Sequence, residues 1–138
     1  MKKIVSLIIL LSNLVMQAQD IVPKEQEKQY LTNGNHVNKY FKDINGHLNK
    51  FLGTWKWQDN PSNPTKIFEI TFSKVENEFT GSSYEDFLIS SYKYIENGVE
   101  IYNTENLGFN KYIYGGLFSF PNNLNKLRLL YSEPEPAT

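Results

Sequence analysis

The sequence predicts a mainly β domain, an antiparallel meander or an up-and-down barrel that stops short of closure, with a short helix before its first strand. Three observations carry this expectation. Apolar and polar residues alternate over several short runs, the period of a half-buried strand. Turn signals separate those runs, Asn97-Gly98 foremost. Aromatic residues make up 14% of the chain, with nine Tyr and nine Phe, and these residue types fit a pleated surface.

The helix is expected over Val37-Asn38-Lys39-Tyr40-Phe41-Lys42-Asp43-Ile44, where residues 37, 40, 41 and 44 are apolar at helical spacing. Asn45-Gly46 would end it. The first strand is Phe51 to Gln58, with residues 51, 53, 55 and 57 on one face. Asp59 to Pro64 is a loop, because its two prolines forbid continued ladder bonding. Ile67 to Ser73 is the cleanest half-buried strand: Phe68, Ile70 and Phe72 face one way, Glu69, Thr71 and Ser73 the other.

Phe87–Glu96 and Val99–Thr104 flank Asn97-Gly98. That dipeptide favours a type I′ hairpin, which needs positive φ at both central residues. A two-residue loop pairs Glu96 with Val99, Ile95 with Glu100, Tyr94 with Ile101 and Lys93 with Tyr102. Leu88, Tyr92, Tyr94, Val99 and Ile101 then form one face, assigned to the core. Further strands are expected at Lys111–Phe118 and Lys126–Tyr131, joined by a turn at Pro121-Asn122-Asn123. Gly115-Gly116 marks a bulge or bend within the former. About six strands result, fewer than the ~8 of a closed ligand-carrying barrel.

The N-terminus has a separate job. Lys2 and Lys3 precede the apolar run Ile4–Leu11, and Ala18 supplies the small residue for a cut. That order is the pattern of a cleavable secretory signal over 1–18. The apolar block is too short to span a bilayer, which takes ~20 residues. Cysteine is absent, so neither a disulfide nor a lipoprotein anchor is available. The expected product is exported to the periplasm or the medium without a lipid or any stable membrane anchor. It comprises a mobile lead-in at 19–36, a single domain at 37–132 and a tail at 133–138.

Lys and Arg number fourteen against fifteen Asp and Glu; without Lys2 and Lys3 they number twelve, for a net charge of −3. This weakly acidic balance argues against a nucleic-acid partner, which would want a basic patch. The histidines, His36 and His47, lack metal-ligand spacing, and neither a metal nor a cofactor is expected. No G-x-S-x-G elbow or phosphate loop is present. Glu69, Glu85, Asp86, Glu96, Glu100 and Glu105 could supply a hydrolytic carboxylate pair, but only across a cleft that spacing does not reveal. Trp57, Tyr92, Tyr102, Tyr112 and Tyr114 are the candidate ligand-binding residues. Each offers a flat apolar body, and each tyrosine a polar tip, although tyrosine is also simply a good strand residue.

Phe51-Leu52-Gly53-Thr54-Trp55 resembles the G-x-W element that opens the first strand of lipocalins and related calycin barrels. The resemblance implies a lipocalin-like barrel with Trp55 deep in its base. Three longer stretches, Leu48–Trp57, Tyr94–Thr104 and Leu127–Pro134, resemble a family of uncharacterised secreted bacterial proteins, a domain of unknown function. That resemblance brings no activity, cofactor or catalytic residue. Its members continue with further strands, which implies an incomplete barrel here.

Three functions stay open. The first is a secreted module that binds a small apolar or amphipathic ligand. The second is an interaction or inhibitor module that presents a sheet edge or tyrosine face to another protein. The third is a carboxylate-dependent hydrolase. A deep apolar pocket favours the first, a flat aromatic patch the second, and buried converging carboxylates the third. Export is directly testable: the form recovered outside the cytoplasm should begin at Gln19 and carry no lipid. Intact-mass measurement of that form checks this, and retention of Met1 would refute it.

Overall fold

The computed structural model describes residues 19–105, 113–120 and 123–132. The signal segment, Tyr112, the turn at Pro121-Asn122 and the tail at 133–138 lie outside the described residues. The fold is mainly β: one open, mixed sheet of eight strands, not a closed barrel. The strands are β1 (Asp20–Pro23), β2 (Lys39–Lys42), β3 (Gly53–Gln58), β4 (Lys66–Phe79), β5 (Tyr84–Glu96), β6 (Val99–Asn103), β7 (Ile113–Phe120) and β8 (Asn123–Tyr131). A 3-10 turn at Lys24–Gln26 leads into the short helix α1 (Glu27–Thr32).

β5 is the spine. Along one edge it pairs antiparallel with β4, which pairs in turn with β3. Three strands share its other edge: β2 in parallel at Tyr84 and Glu85, β7 at Leu88 and Ile89, and β6 from Lys93 to Glu96. Residues Asp86 to Ser90 are consecutively buried, because both faces of the strand are covered at its middle. On the first face, Leu88 packs with Leu48 and Phe118, and Phe51, Phe72, Leu124 and Leu127 complete the cluster. The second face carries Glu85, Phe87 and Ile89, and the N-terminal segment packs over its lower part.

The N-terminal half departs from expectation. The 37–44 helix is absent; Lys39–Lys42 is the parallel strand β2, flanked by β1 and β5. Asn38 has a φ of 59°, which breaks helical geometry at the start of the segment. Val37 and Ile44 are exposed, while the adjacent Tyr40 and Phe41 are buried on opposite faces. The apolar spacing that reads as helical is therefore a two-sided strand with exposed flanks. The helix that does precede β3 lies within 19–36. That stretch, expected as a lead-in, supplies β1 and α1 and buries Val22, Lys24 and Glu27.

A buried carboxylate ties these pieces together. Asp86, only 1% exposed, accepts three hydrogen bonds from three segments. Tyr40 Oη donates to Oδ1 at 2.6 Å, the Asn77 amide to Oδ1 at 3.0 Å, and the Asp43 amide to Oδ2 at 2.8 Å. Asp43 in turn accepts from the Leu48 amide at 3.1 Å, which seats the core residue Leu48. Burial and the bond to Asp86 push the Tyr40 hydroxyl well above its ordinary pKa. Asn77, at a φ of 55°, sits in the bulge between Val75 and Glu78, and Asp86 satisfies its freed amide.

The hairpin is half as expected. Asn97 and Gly98 have φ of 50° and 78°, and Glu96–Val99 and Ile95–Glu100 pair as the turn dictates. A bulge at Ile101 then shifts the register, so Tyr94 faces Tyr102 and Lys93 faces Asn103. Val99 and Ile101 are exposed and do not join the core. The expected bulge at Gly115-Gly116 is present. A Cβ at Gly115 would stand 2.6 Å from the Arg128 carbonyl oxygen.

Trp55 corrects the G-x-W expectation. It is 52% exposed, because β3 is the outermost strand and nothing among the described residues covers its end of the first face. Its indole Nε1 donates to the Phe51 carbonyl at 3.0 Å. Two substitutions separate the two constraints. Asp86→Ala strands two buried donors, the Tyr40 hydroxyl and the Asp43 amide, and a partly buried one at Asn77, and should cost about 3 to 5 kcal/mol. Trp55→Ala should cost about 1 kcal/mol or less, as a surface change. Chemical denaturation of both variants checks the order, and a larger loss for Trp55→Ala would overturn it.

Candidate functional site

Antiparallel partners project to the same face, so the register sorts the side chains. The second face presents Glu85 and Phe87 from β5, Tyr114 and Leu117 from β7, and Arg128 and Leu130 from β8. With Glu27 of α1, Thr80 and the bare backbone of Gly115-Gly116 they line a half-open cavity of about 340 Å³. The glycines are structural requirements of its floor. A Cβ at Gly116 would lie 3.2 Å from the Phe87 Cα, and Gly115 holds a φ of 141°.

One end of the cavity is charged. Lys24, 1% exposed, lies behind the wall with its Nζ 2.7 Å from Glu27 Oε2 and 2.5 Å from Glu85 Oε2. One buried ammonium thus faces two carboxyl groups. Burial raises the Glu27 carboxyl, Lys24 opposes that rise, and repulsion from Glu85 adds to it; the result is a pKa of about 7. Glu85 moves the other way: burial pushes it up, but the Lys24 charge and hydrogen bond outweigh that and hold it below its ordinary value. Glu27 Oε2, although close to Lys24, accepts no hydrogen bond of good geometry. Two neighbouring acids whose pKa values are pushed apart in a cavity are a common signature of a functional site.

The residues singled out from sequence divide between the two faces. Tyr114 lines the cavity. Trp57 and Tyr102 lie on the first face and are exposed. Tyr92 is on that face too but buried, its ring 5.6 Å from Phe68 and 6.5 Å from Tyr131. The cross-strand pairs Trp57–Phe68, Phe68–Tyr94 and Tyr94–Tyr102 set four aromatic residues in one rung. Tyr102 joins it only through the Ile101 bulge. Glu69, on the second face, is bracketed by Lys56 and Lys93, each at 3.2 Å. Hydrogen bonds from Lys93 and Lys56 hold its carboxyl below the ordinary value. His47 lies 3.9 Å from Glu25, and no cluster of three metal-ligating side chains occurs among the described residues.

Sequence reasoning missed Lys24 and Glu27, both in the stretch read as a lead-in. The signal was Ile21-Val22-Pro23, a short extended run just before them, too brief to stand out by periodicity.

The fold and cavity define an open-sheet β domain with a lateral pocket. The chain belongs to the Family of unknown function (DUF6705), matched over residues 1–115. No curated protein and no solved structure matches it.

The Glu27 shift has a consequence for stability. A carboxyl raised in the folded state contributes stability that is fully present below its unfolded pKa of 4.5 and is lost as pH rises through about 7. Glu85, lowered, acts in the opposite sense, losing its contribution as pH falls. Glu27→Gln keeps a neutral side chain at every pH. Relative to the wild type it should therefore gain about 1 to 3 kcal/mol between pH 5 and pH 8. Denaturation curves at the two pH values test this; parallel behaviour of the two proteins would show that Glu27 titrates normally.

Proposed function

We propose that this chain is an exported binding module whose cavity on the second sheet face takes a small amphipathic ligand. The observation that carries the reading is the cavity itself: an apolar wall of Phe87, Tyr114, Leu117 and Leu130 ending in converging polar groups. Ligand sites are typically concave, mostly apolar and given orientation by a few polar groups, and a volume of about 340 Å³ suits a small molecule. Export rests on the basic start and apolar run of residues 1–18. In this reading the ligand sits beside a sheet and not within a barrel, so any relation to lipocalins is limited to the Gly53-Thr54-Trp55 element.

The aromatic rung on the first face favours a second reading, an interaction module. Trp57, at 56% exposed, and Tyr102 present apolar surface of the kind that marks protein contacts. A carboxylate hydrolase draws less support. Lys24 engages both Glu27 and Glu85, at 2.7 Å and 2.5 Å, whereas a glycosidase pair needs one carboxyl as acid and the other free to act on the sugar or a water.

Amide chemical shifts during titration with hexan-1-ol separate the readings. The cavity reading expects movement at Phe87, Gly115, Gly116 and Leu117, and its loss in Leu117→Trp, which fills the space. Shifts confined to Trp57, Tyr94 and Tyr102 would move the ligand to the aromatic face. No shift at millimolar alcohol would remove the binding reading.

A further inference from the structure

We propose that the cavity is built for a small zwitterion with an apolar side chain, a free apolar amino acid, its ammonium on the Glu27–Glu85 pair and its carboxylate on Arg128. This rests on the binding reading above and names the ligand class.

The charged ends of the cavity sit on opposite sides of a bare floor. Glu85 is on β5, Arg128 is on β8, and β7 runs between them. Neighbouring strands lie about 4.8 Å apart, so the backbones that carry the poles are separated by roughly 10 Å. The floor beside the crossing is Gly115-Gly116, and Leu117, the register partner of Arg128, stands next to it on the same face. An α-amino acid holds its ammonium and carboxylate within a few ångströms. A charge-assisted hydrogen bond of about 2.8 Å at each end spans the remainder.

Among the described residues neither pole is balanced by opposite charge. Lys24 supplies one positive charge to two carboxyl groups, and the buried Glu27 Oε2, 2.7 Å from that ammonium, accepts no hydrogen bond of good geometry. At the other end, no carboxylate among the described residues pairs with Arg128, which nevertheless lines the cavity. A simple amine would leave Arg128 unanswered, and a simple acid would leave the carboxyl pair unanswered. A zwitterion answers both and adds no net charge. Its side chain would rest on Phe87, Leu117 and Leu130.

Four probes of one shape test this on the full chain by calorimetric titration at pH 8. L-phenylalanine carries both charges, 2-phenylethylamine the ammonium only, 3-phenylpropanoate the carboxylate only and 2-phenylethanol neither. L-phenylalanine should bind at least about tenfold more tightly than each of the others. Glu27→Gln should erase its advantage over 3-phenylpropanoate, and Arg128→Gln its advantage over 2-phenylethylamine. Lys56→Gln, on the same face but outside the cavity, should change none of the ratios. If the amine or the acid alone equals L-phenylalanine, the two-pole assignment is wrong. Equal binding of 2-phenylethanol and L-phenylalanine would overturn the zwitterion and leave the cavity reading standing. Binding of none of the four would overturn both.

Discussion

Three donors from three chain segments meet one buried carboxylate at Asp86, and the arrangement of the sheet depends on that meeting. The Tyr40 hydroxyl fixes β2 against β5, the Asn77 amide fixes the bulge of β4, and the Asp43 amide fixes the turn after β2. The Tyr40 hydroxyl and the Asp43 amide would otherwise be buried polar groups without a partner, at a cost of about 1 to 3 kcal/mol each; the Asn77 amide is partly buried. A carboxylate suits the place because it offers two oxygens with several acceptor directions and no donor of its own. Asp43 repeats the device on a smaller scale when it receives the Leu48 amide, so the chain that enters the core is held from the same corner.

How far the fold could be read from sequence follows from where its constraints are local. The β4 to β8 strands are legible because alternation and turn chemistry act within a few residues. Phe68, Ile70 and Phe72 share a face, Asn97-Gly98 adopts positive φ, and Gly115-Gly116 forms a bulge. The N-terminal strands are not legible, because β1 and β2 are four residues long and their pairing is parallel and non-local. Tyr40 and Phe41 are held extended by β1 and β5 alone. Trp55 fails for a related reason: alternation says which side chains share a face, but whether anything covers that face is a tertiary fact. Of the site, Tyr114 and Glu85 were visible as residue types in a pattern. Lys24 and Glu27 were not, because a buried ion cluster leaves no periodic trace.

The two faces of the sheet have different fates. On the first, the Leu88 end is sealed by Leu48 and Phe118, while the Trp57–Tyr102 end stays open. On the second, the N-terminal segment covers the lower part of β5 and leaves a hollow where the Gly115-Gly116 bulge removes side chains from β7. The hollow thus has two causes that are independent in sequence. One is a lid of α1 brought over by the parallel strands; the other is a pair of glycines that could not carry side chains without meeting Phe87 or the β8 backbone.

Glu85 and Asp86 are neighbours in the chain and point to opposite faces of β5, and this adjacency links the anchor to the cavity. Asp86 is held by three bonds on the first face. The backbone from which Glu85 projects into the second is therefore fixed by contacts that never touch the cavity. Glu27 lacks such an anchor of its own and is placed by Lys24, whose ammonium draws both carboxyl groups to one point. A binding pole that must keep its geometry while one member gains or loses a proton benefits from this division. One carboxylate is held rigid through the strand; the other is held through charge, and its pKa of about 7 reflects burial first, then repulsion from Glu85, both only partly offset by a single lysine.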